Sequence, residues 1–434
     1  MRRAAVLALF CSLAAAQSSL PPEVLLLSRI RRGVADTLAR LPSYACLENI
    51  DRLARKDDSK RFRPADTLRL EVIASGEREL FSWPDSQFSS PSENLVPVGL
   101  TTSGEFYSSV KAVFLAGPAV IKYHGSELFN GVRAARYDYR VSQAFSGYRL
   151  NNGSRGAIVG FSGSFWANPA SAELLRLSES ADDIPMGLHI RSAVTVIDYS
   201  RVLLGGQPVR FPESATVDLI DDSGEDRNLI EFTHCREYRA ESNIDFTARA
   251  PELIAGRTPA ASPVEFHIPP NLTFDVHLRD AVNLIGSRLG DPITAIVEND
   301  VISRKHLIVP KGATLTGRLR LLTRSLDSAG PLIIGLEFTD VNFTDSSGIR
   351  RHAPFYALLT GISPLPGISR ELSTSATFRE DLSIWASKNT DNRSVLDPPP
   401  LPGVGTFFAQ PPATRLPKGF AMTWVTIRLD RPER

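Results

Sequence analysis

The chain has 434 residues, 42% of them hydrophobic, with a mean hydropathy of −0.09, and it is long enough for two domains with full cores. Its 49 Lys and Arg residues nearly balance its 48 Asp and Glu residues, which leaves a formal net charge of +1. This balance excludes the strong positive field with which nucleic-acid-binding proteins attract their partners.

The first residues have the pattern of an export signal. Met1-Arg-Arg is followed by an apolar run over Ala4–Leu13 and by Ala14-Ala-Ala. A charged start, a short apolar core and an Ala-x-Ala site are typical of a secretory signal peptide. We therefore expect residues 1–16 to be removed and the mature protein to be periplasmic or secreted. No later segment has the apolar length of a transmembrane helix.

Two cysteines, Cys46 and Cys235, follow the signal peptide. In an exported chain without a Cys-x-x-Cys motif, two cysteines favour a disulfide over a metal site. Such a bridge would close a long loop and contribute about 4–5 kcal/mol in the chain-entropy model. A pair of buried free thiols is the alternative.

Residues 17–43 are predicted to form an amphipathic helix, because Leu27, Ile30, Val34 and Leu38 recur every three or four positions. Residues 44–249 contain many short alternating segments separated by turn residues, which predicts an antiparallel β domain. Within it, Asn130-Gly131 predicts a two-residue hairpin turn of type I′. A short helix is expected over residues 169–178.

Five segments of this β domain carry a resemblance to a known family. They are residues 163–176 (GSFWANPASAELLR), 183–185 (DIP), 196–202 (VIDYSRV), 211–212 (FP) and 228–238 (NLIEFTHCREY). Over residues 65–246 the chain resembles the antiparallel half-barrel of periplasmic lipoprotein-sorting chaperones. The resemblance implies a concave apolar face that holds acyl chains, and a bridge from Cys46 to Cys235 that joins the entry of the domain to its exit.

Residues 250–263 are rich in Pro, Ala, Gly, Ser and Thr and are predicted to be a linker. The second domain, residues 264–434, again alternates apolar and polar positions, for example over Leu272–Leu278. It carries one long segment, residues 361–412, with few strand features, which we interpret as a loop.

The second domain contains two similar four-residue sequences, Val-Pro-Lys-Gly at residues 309–312 and Leu-Pro-Lys-Gly at residues 416–419. Pro310 and Gly312 suit a tight hairpin turn, because proline fixes φ and glycine accepts the left-handed conformation. Pro417 and Gly419 occupy the same places in the second copy. Either the domain contains a diverged internal repeat, or Pro-Lys-Gly is simply a common turn sequence.

The segments 274–278 (FDVHL), 290–291 (GD), 295–301 (AIVENDV) and 307–317 (LIVPKGATLTG) carry a second resemblance. Over residues 270–430 the chain is similar to the C-terminal β-barrel domain of the outer-membrane channel component of type IV secretion and conjugation systems. This implies an antiparallel β-barrel fold in the cell envelope.

No motif predicts a catalytic residue, a metal ligand or a cofactor. Gly160-Phe-Ser-Gly-Ser164 lacks the last glycine of a nucleophile elbow, and Ser108-Ser-Val-Lys111 stands without its companion motifs. The pairs Asp182-Asp183 and Asp221-Asp222 lie in turn-like contexts. The seven histidines are not spaced as zinc ligands.

These patterns predict a mainly β, exported envelope protein that is not an enzyme. The leading hypothesis is that it binds an apolar ligand, such as a lipid or a lipoprotein acyl chain, or an envelope partner. The alternative is a structural or assembly factor of an envelope complex that acts only through protein contacts. A hydrolase would need a Ser, Asp or Glu side chain to meet a histidine in space.

Overall fold

The protein is mainly β, as predicted, with a leading helix on a curled antiparallel sheet. The computed structural model describes residues 20–55, 60–75, 78–84, 95–96, 99–104, 108–152, 155–238, 264–324, 332–366, 368, 403–409 and 413–428.

The first unit is built on a ten-stranded sheet. Its strands, with a separate β6-β7 hairpin, are β1 Tyr44–Arg55, β2 Arg63–Ser75, β3 Arg78–Ser82, β4 Val120–Phe129, β5 Val132–Val141, β6 Arg149–Asn152, β7 Arg155–Ile158, β8 Gly160–Ala167, β9 Leu174–Asp182, β10 Ile190–Leu204, β11 Gln207–Asp221 and β12 Gly224–Glu237. The spatial order is β3-β2-β1-β12-β11-β10-β9-β8-β5-β4, and neighbouring strands are antiparallel.

Alternating burial explains why these segments are strands. In β10, Ala193, Thr195, Ile197 and Tyr199 are buried, and the residues between them are partly exposed. This period of two places one apolar face inside the curl and a more polar face outside.

Local turn chemistry predicted one hairpin well and one helix badly. Asn130 and Gly131 have φ of 48° and 78° and close the β4-β5 hairpin, so that prediction is confirmed. The helix expected over residues 169–178 is wrong, because Leu174 begins β9. There Leu177 pairs with Phe165 on one side and Ile197 on the other, and these long-range contacts override local helix propensity.

Three α-helices are described in the first unit: α1 Pro22–Arg40, α2 Ser108–Phe114 and α3 Gln143–Ser146. Helix α1 is shorter than the predicted 17–43. It begins at Pro22, which needs no hydrogen-bond partner in the first turn, and stops ahead of Pro42, with Leu41 already extended. Residues 17–19 lie outside the described part of the chain.

The second unit is a strongly curled sheet. Its strands are β13 Val264–Glu265, β14 Thr273–Leu278, β15 Val282–Asn283, β16 Pro292–Val297, β17 Val301–Ser303, β18 His306–Val309, β19 Thr314–Arg324, β20 Leu332–Thr344, β21 Arg350–Pro354, β22 Ala357–Ile362, β23 Val404–Ala409, β24 Arg415–Leu416 and β25 Ala421–Thr426. The main order is β13-β21-β20-β19-β16-β14-β25-β22, with β23 also on β20. The two-residue β13-β21 pair is parallel, and the other strand pairs described in this sheet are antiparallel.

The curl of this sheet brings its two sides together. A Cβ on Gly405 of β23 would lie 2.4 Å from Leu359 Cβ of β22, so these strands approach closely across the gap. The predicted barrel-like fold therefore describes this unit.

The Pro-Lys-Gly hairpin prediction needs correction. Ala313 N–H donates to Pro310 C=O, and Gly312 has φ of 85°, so the turn itself is present. However, the strands on either side of it do not pair with each other. Strand β18 pairs with β17, whereas β19 pairs with β16 and β20.

The long segment 361–412 also contains structure that was not expected. Val404–Ala409 is strand β23, which pairs with β20 along Leu332–Glu337. The rest of that predicted loop lies largely outside the described residues, as does the predicted linker, residues 250–263. The division of the chain into domains at those positions stays a prediction.

The two sheets meet along the edge of β2. Leu289 N–H donates to Thr67 C=O over 2.8 Å, and Arg69 N–H donates to Leu289 C=O over 3.1 Å. The Arg288 side chain adds a 2.8 Å hydrogen bond to Asn49. Leu289 thus extends the first sheet by one bridge where β3 does not cover β2.

Candidate functional site: the inner face of the curled sheet

The inner face of the ten-stranded sheet is apolar and rich in aromatic rings. Tyr137 stacks on Phe165 with ring centroids 5.0 Å apart, and Tyr44 meets Phe211 edge to face at 4.7 Å. Other buried side chains of this face include Phe81, Tyr139, Phe161, Leu177, Ile197 and Tyr199. Strand alternation alone produces this surface, because every second residue points inward.

Helices of the same chain cover this face. Ile30 of α1 and Val113 of α2 are both 0% exposed, and Phe114 meets Phe165 with ring centroids 4.9 Å apart. The Tyr137 hydroxyl donates a 2.7 Å hydrogen bond to Glu23 C=O, and the Arg29 guanidinium donates to Ala170 C=O. The inner face is therefore already occupied.

Polar contacts hold the segment before α2 in place. Asn228 Nδ2 donates to Leu100 C=O over 3.0 Å, and Gly104 N–H donates to Glu79 Oε2 over 2.7 Å. In α2, Ser109 Oγ donates to Glu179 Oε1 over 3.1 Å. These bonds join Leu100, Gly104 and Ser109 to strands across the width of the sheet.

Two buried tyrosines of the inner face, Tyr44 and Tyr139, keep their protons. Burial, with the charges of Glu79 and Tyr199, raises the pKa of Tyr44. Burial likewise raises the pKa of Tyr139, and Glu179 adds to the effect. Both phenols are therefore neutral at physiological pH and serve packing and hydrogen bonding. Arg52 and Asp66 form a salt bridge whose side chains are 7% and 2% exposed.

Within the described residues, no hydrogen bond joins a motif serine to a histidine. Ser108 and Lys111 lie on the short helix α2, and Ser162 and Ser164 lie within strand β8, not on a nucleophile elbow. Ser164 Oγ donates to Asp138 Oδ1 over 2.6 Å, and His124 Nδ1 bonds the other oxygen of Asp138 at 2.7 Å. A hydrolytic triad needs the serine on the histidine, whereas here both groups contact the carboxylate.

Asp138 accepts hydrogen bonds from several side chains on the outer face of the sheet. Burial alone would raise the pKa of Asp138, but hydrogen bonds from Ser164 and His124 and the charge of Arg136 together lower it.

The paired aspartates also have structural roles. Asp182 accepts from Ser162, and Asp221 Oδ1 accepts from the backbone of Ser223 and Gly224 in the β11-β12 turn.

The structure joins Cys46 to Cys235 by a disulfide between the adjacent strands β1 and β12. The bridge lies inside the sheet, where Cys46 is fully buried. It links the first strand of the ten-stranded sheet to its last strand in sequence. This position matches the structural role that the family resemblance implies.

The four turn residues lie at two equivalent places in the second unit. Gly312 N–H donates to Val297 C=O and Val297 N–H donates to Ala313 C=O; Gly419 and Phe420 make the same pair of bonds with Leu278. The flanking short strands correspond as well, with Val301 opposite Val309 and Val282 opposite Leu416. This agreement of hydrogen bonds and register favours an internal repeat over a chance recurrence of a turn sequence.

A shallow cleft of about 380 Å³ lies beside one of these turns. His277 Nδ1 bonds Glu298 Oε1 at 3.1 Å on its wall, and both side chains are about one third exposed. Its other lining residues are Ile296, Val297, Asn299, Lys311 and Gly312. Sequence patterns did not point to this cleft, because His277 lies in β14 and Glu298 follows β16, so no local spacing joins them.

Among the described residues no group of three His, Cys, Asp or Glu side chains is arranged to hold a metal ion. No helix in the same residues is both long enough and apolar enough to cross a lipid bilayer.

No protein-family model and no curated protein matches the chain. Two similar solved structures are a LolA superfamily protein from Nitrosomonas europaea and an outer membrane lipoprotein-sorting protein domain from Vibrio parahaemolyticus. The first is 10% identical, covers 49% of this chain and 94% of its own, and has a TM-score of 0.27. The second is 12% identical, covers 52% and 97%, and also has a TM-score of 0.27.

The structural neighbours of this chain thus include proteins of the lipoprotein-sorting group, at low identity. Because both TM-scores lie below 0.5, this similarity carries no argument about ligand or mechanism. The resemblance of the second unit to a secretion-channel barrel stays a prediction.

Proposed function

We propose that this protein acts by binding, as a non-catalytic component of the bacterial cell envelope that works through protein contacts. What supports the proposal is the covered inner face of the ten-stranded sheet. An acyl chain would need the surface that Ile30 of α1 and Val113 of α2 already occupy. Export to the periplasm or the outside of the cell belongs to this proposal and rests on the signal-peptide pattern.

Carriage of a lipid or a lipoprotein acyl chain is the second candidate, and it requires α1 to leave. Leu26, Leu27, Val34 and Leu38 are only partly buried against the core, and Ile30 is the fully buried residue of α1. Exposing these five side chains would cost about 5–8 kcal/mol. An acyl chain of about 14 carbons gains about 10 kcal/mol when it leaves water. The free energy of exposing α1 is close to the free energy gained by burying the acyl chain, so an experiment must decide between the two candidates.

Lipid extraction followed by mass spectrometry separates the two candidates. The proposal expects purified protein to contain no stoichiometric lipid, and crosslinking in cell envelopes to recover specific proteins. If a fluorescent fatty acid binds saturably, and its binding speeds amide hydrogen exchange over residues 22–40, the protein is a carrier and the proposal is wrong.

A matched pair of variants sharpens this test. Val34 packs partly against the core, whereas Val24 on the same helix is 40% exposed. If α1 gates an acyl site, Val34→Ala should increase fatty-acid affinity and Val24→Ala should not. The proposal expects both variants to bind fatty acid equally and negligibly.

A further inference from the structure

Strand β4 forms a free edge of the ten-stranded sheet. In the described part of the chain it pairs only with β5, while the second unit docks near the opposite edge, on β2. Its exposed apolar side chains include Val120 at 59%, Tyr123 at 43% and Leu128 at 80%. A ten-residue edge strand with exposed apolar side chains is a template for pairing with another strand.

A bulge determines which partner strand this edge can accept. The register with β5 shifts between Tyr123 and Gly125, so His124 is the extra residue. One extra residue inverts the alternation of side chains beyond it. Lys122 and Glu127 therefore lie on the same face of the sheet, although their numbers differ by an odd count.

The same inversion orders the apolar residues. Ile121 and Leu128 share the inner face, opposite Tyr139 and Arg133 of β5. Val120 and Phe129 share the outer face. Two copies of β4 laid antiparallel about an axis between His124 and Gly125 would oppose residues whose faces agree throughout.

We propose that two copies of this chain associate through β4, in antiparallel pairing about a twofold axis between His124 and Gly125. Lys122 of each copy then lies opposite Glu127 of the other, which creates two ion pairs. Ile121 meets Leu128 and Val120 meets Phe129 in the same register. Opposite charges and apolar residues facing each other across strands are the pairs that stabilise antiparallel sheets.

Charge complementarity selects a second copy as the occupant. Glu127 already accepts from Arg136 and from Trp166 Nε1, which holds its carboxylate in place on the outer face. Lys122 is exposed and forms no ion pair within the described residues. The self-paired register supplies its partner. Such a twofold interface is closed, so it gives a dimer and no open fibre.

Charge reversal provides a test that does not depend on the proposed function. The full mature protein is studied by sedimentation equilibrium as wild type, Lys122→Glu and Glu127→Lys, and as an equimolar mixture of the two variants. In each variant alone, two attractive pairs become repulsive, and we expect the dimer Kd to rise at least about tenfold. In the mixture every pair is attractive again, so a heterodimer should form with near wild-type affinity.

Each outcome decides the proposal. The proposal is wrong if the wild type is monomeric at a protein concentration of about 50 µM, at which even weak interfaces form. It is also wrong if the variants stay as dimeric as the wild type. A mixture that fails to associate while both variants keep their circular dichroism would overturn it as well. Lys305→Glu, in the exposed β17-β18 turn, is the matched control and should leave the Kd unchanged. If Glu127→Lys proves unfolded, Lys122→Glu alone against that control still decides the result.

Discussion

Tyr137 joins the leading helix to the floor of the curled sheet. Its ring stacks on Phe165, and its hydroxyl donates to Glu23 C=O over 2.7 Å. Burial, followed by the neighbouring Tyr123 and Glu23, raises the pKa of Tyr137 to about 12. The proton on this hydroxyl is therefore bound more tightly in the folded protein than in the unfolded chain, where the pKa is about 10.

This shift predicts an alkaline loosening of α1. A group whose folded pKa is raised contributes stability that is present below its unfolded pKa and lost as the pH rises through the folded value. The window is therefore about pH 10–12. Tyr137→Phe should lower the free energy of unfolding by about 1 kcal/mol at pH 8 and should show a smaller loss between pH 8 and pH 11.

Denaturant titrations followed by circular dichroism measure both effects. Tyr356→Phe is the control, because Tyr356 is 42% exposed and lies in the second unit, between β21 and β22. If Tyr137→Phe keeps the full alkaline loss of the wild type, the raised pKa of Tyr137 is not the cause of that loss.

At the scale of elements, period-two alternation predicted the strands well and their partners poorly. Alternation in β10 reports that one face is buried, which is a local property. The choice of partner is not local. The segment around Pro310 looks like a hairpin, yet β18 and β19 pair with different strands, because β16 and β20 take both edges of β19 over residues 314–318.

The covered inner face shows the same limit. The stripe of Ile30 and its neighbours predicted an amphipathic helix, but not which surface it would cover. Residues 99–104 show no periodicity, and they reach the sheet through Leu100 C=O and Gly104 N–H, which any sequence carries. Backbone contacts of this kind leave no trace in residue type.

The internal repeat predicts that its two turns respond alike to substitution. Gly312 and Gly419 have φ of 85° and 82°, and a Cβ on either would meet nothing within 4 Å. Alanine therefore introduces only left-handed backbone strain, about 1–2 kcal/mol at each position. The two turns are separate elements, so the double variant should lose the sum within about 0.5 kcal/mol. Thermal and denaturant unfolding of the three variants measures these losses of stability. Unequal losses in the two single variants, or a non-additive loss in the double variant, would contradict the prediction.

At the scale of the whole molecule, two cross-connections determine how the chain is held together. The disulfide joins strands 189 residues apart in sequence, and the Leu289 bridge joins the second sheet to β2. The exported context predicted the first connection. Nothing in the residues around Leu289 predicted the second, because one bridged residue has no periodicity.

Gly290 tests whether the two sheets behave as one body. Its φ is 94°, and a Cβ there would lie 2.4 Å from Trp83 Cε3 and 2.8 Å from Arg69 O, both in the first unit. Arg320 of β19 packs over the same Trp83 ring at 5.3 Å. Gly290→Ala therefore adds a steric clash at the junction to the backbone strain, and we expect a loss of about 3–4 kcal/mol.

Gly312→Ala is the matched comparison, since it has the same backbone strain without the clash and should lose about 1–2 kcal/mol. The difference between the two variants isolates the junction. Trp83 lies at this contact, so tryptophan fluorescence should also change in Gly290→Ala before the bulk of the secondary structure is lost. Equal losses in the two variants, with unchanged fluorescence, would mean that the second sheet does not depend on its contact with β2 and that the two units are held by the covalent chain alone.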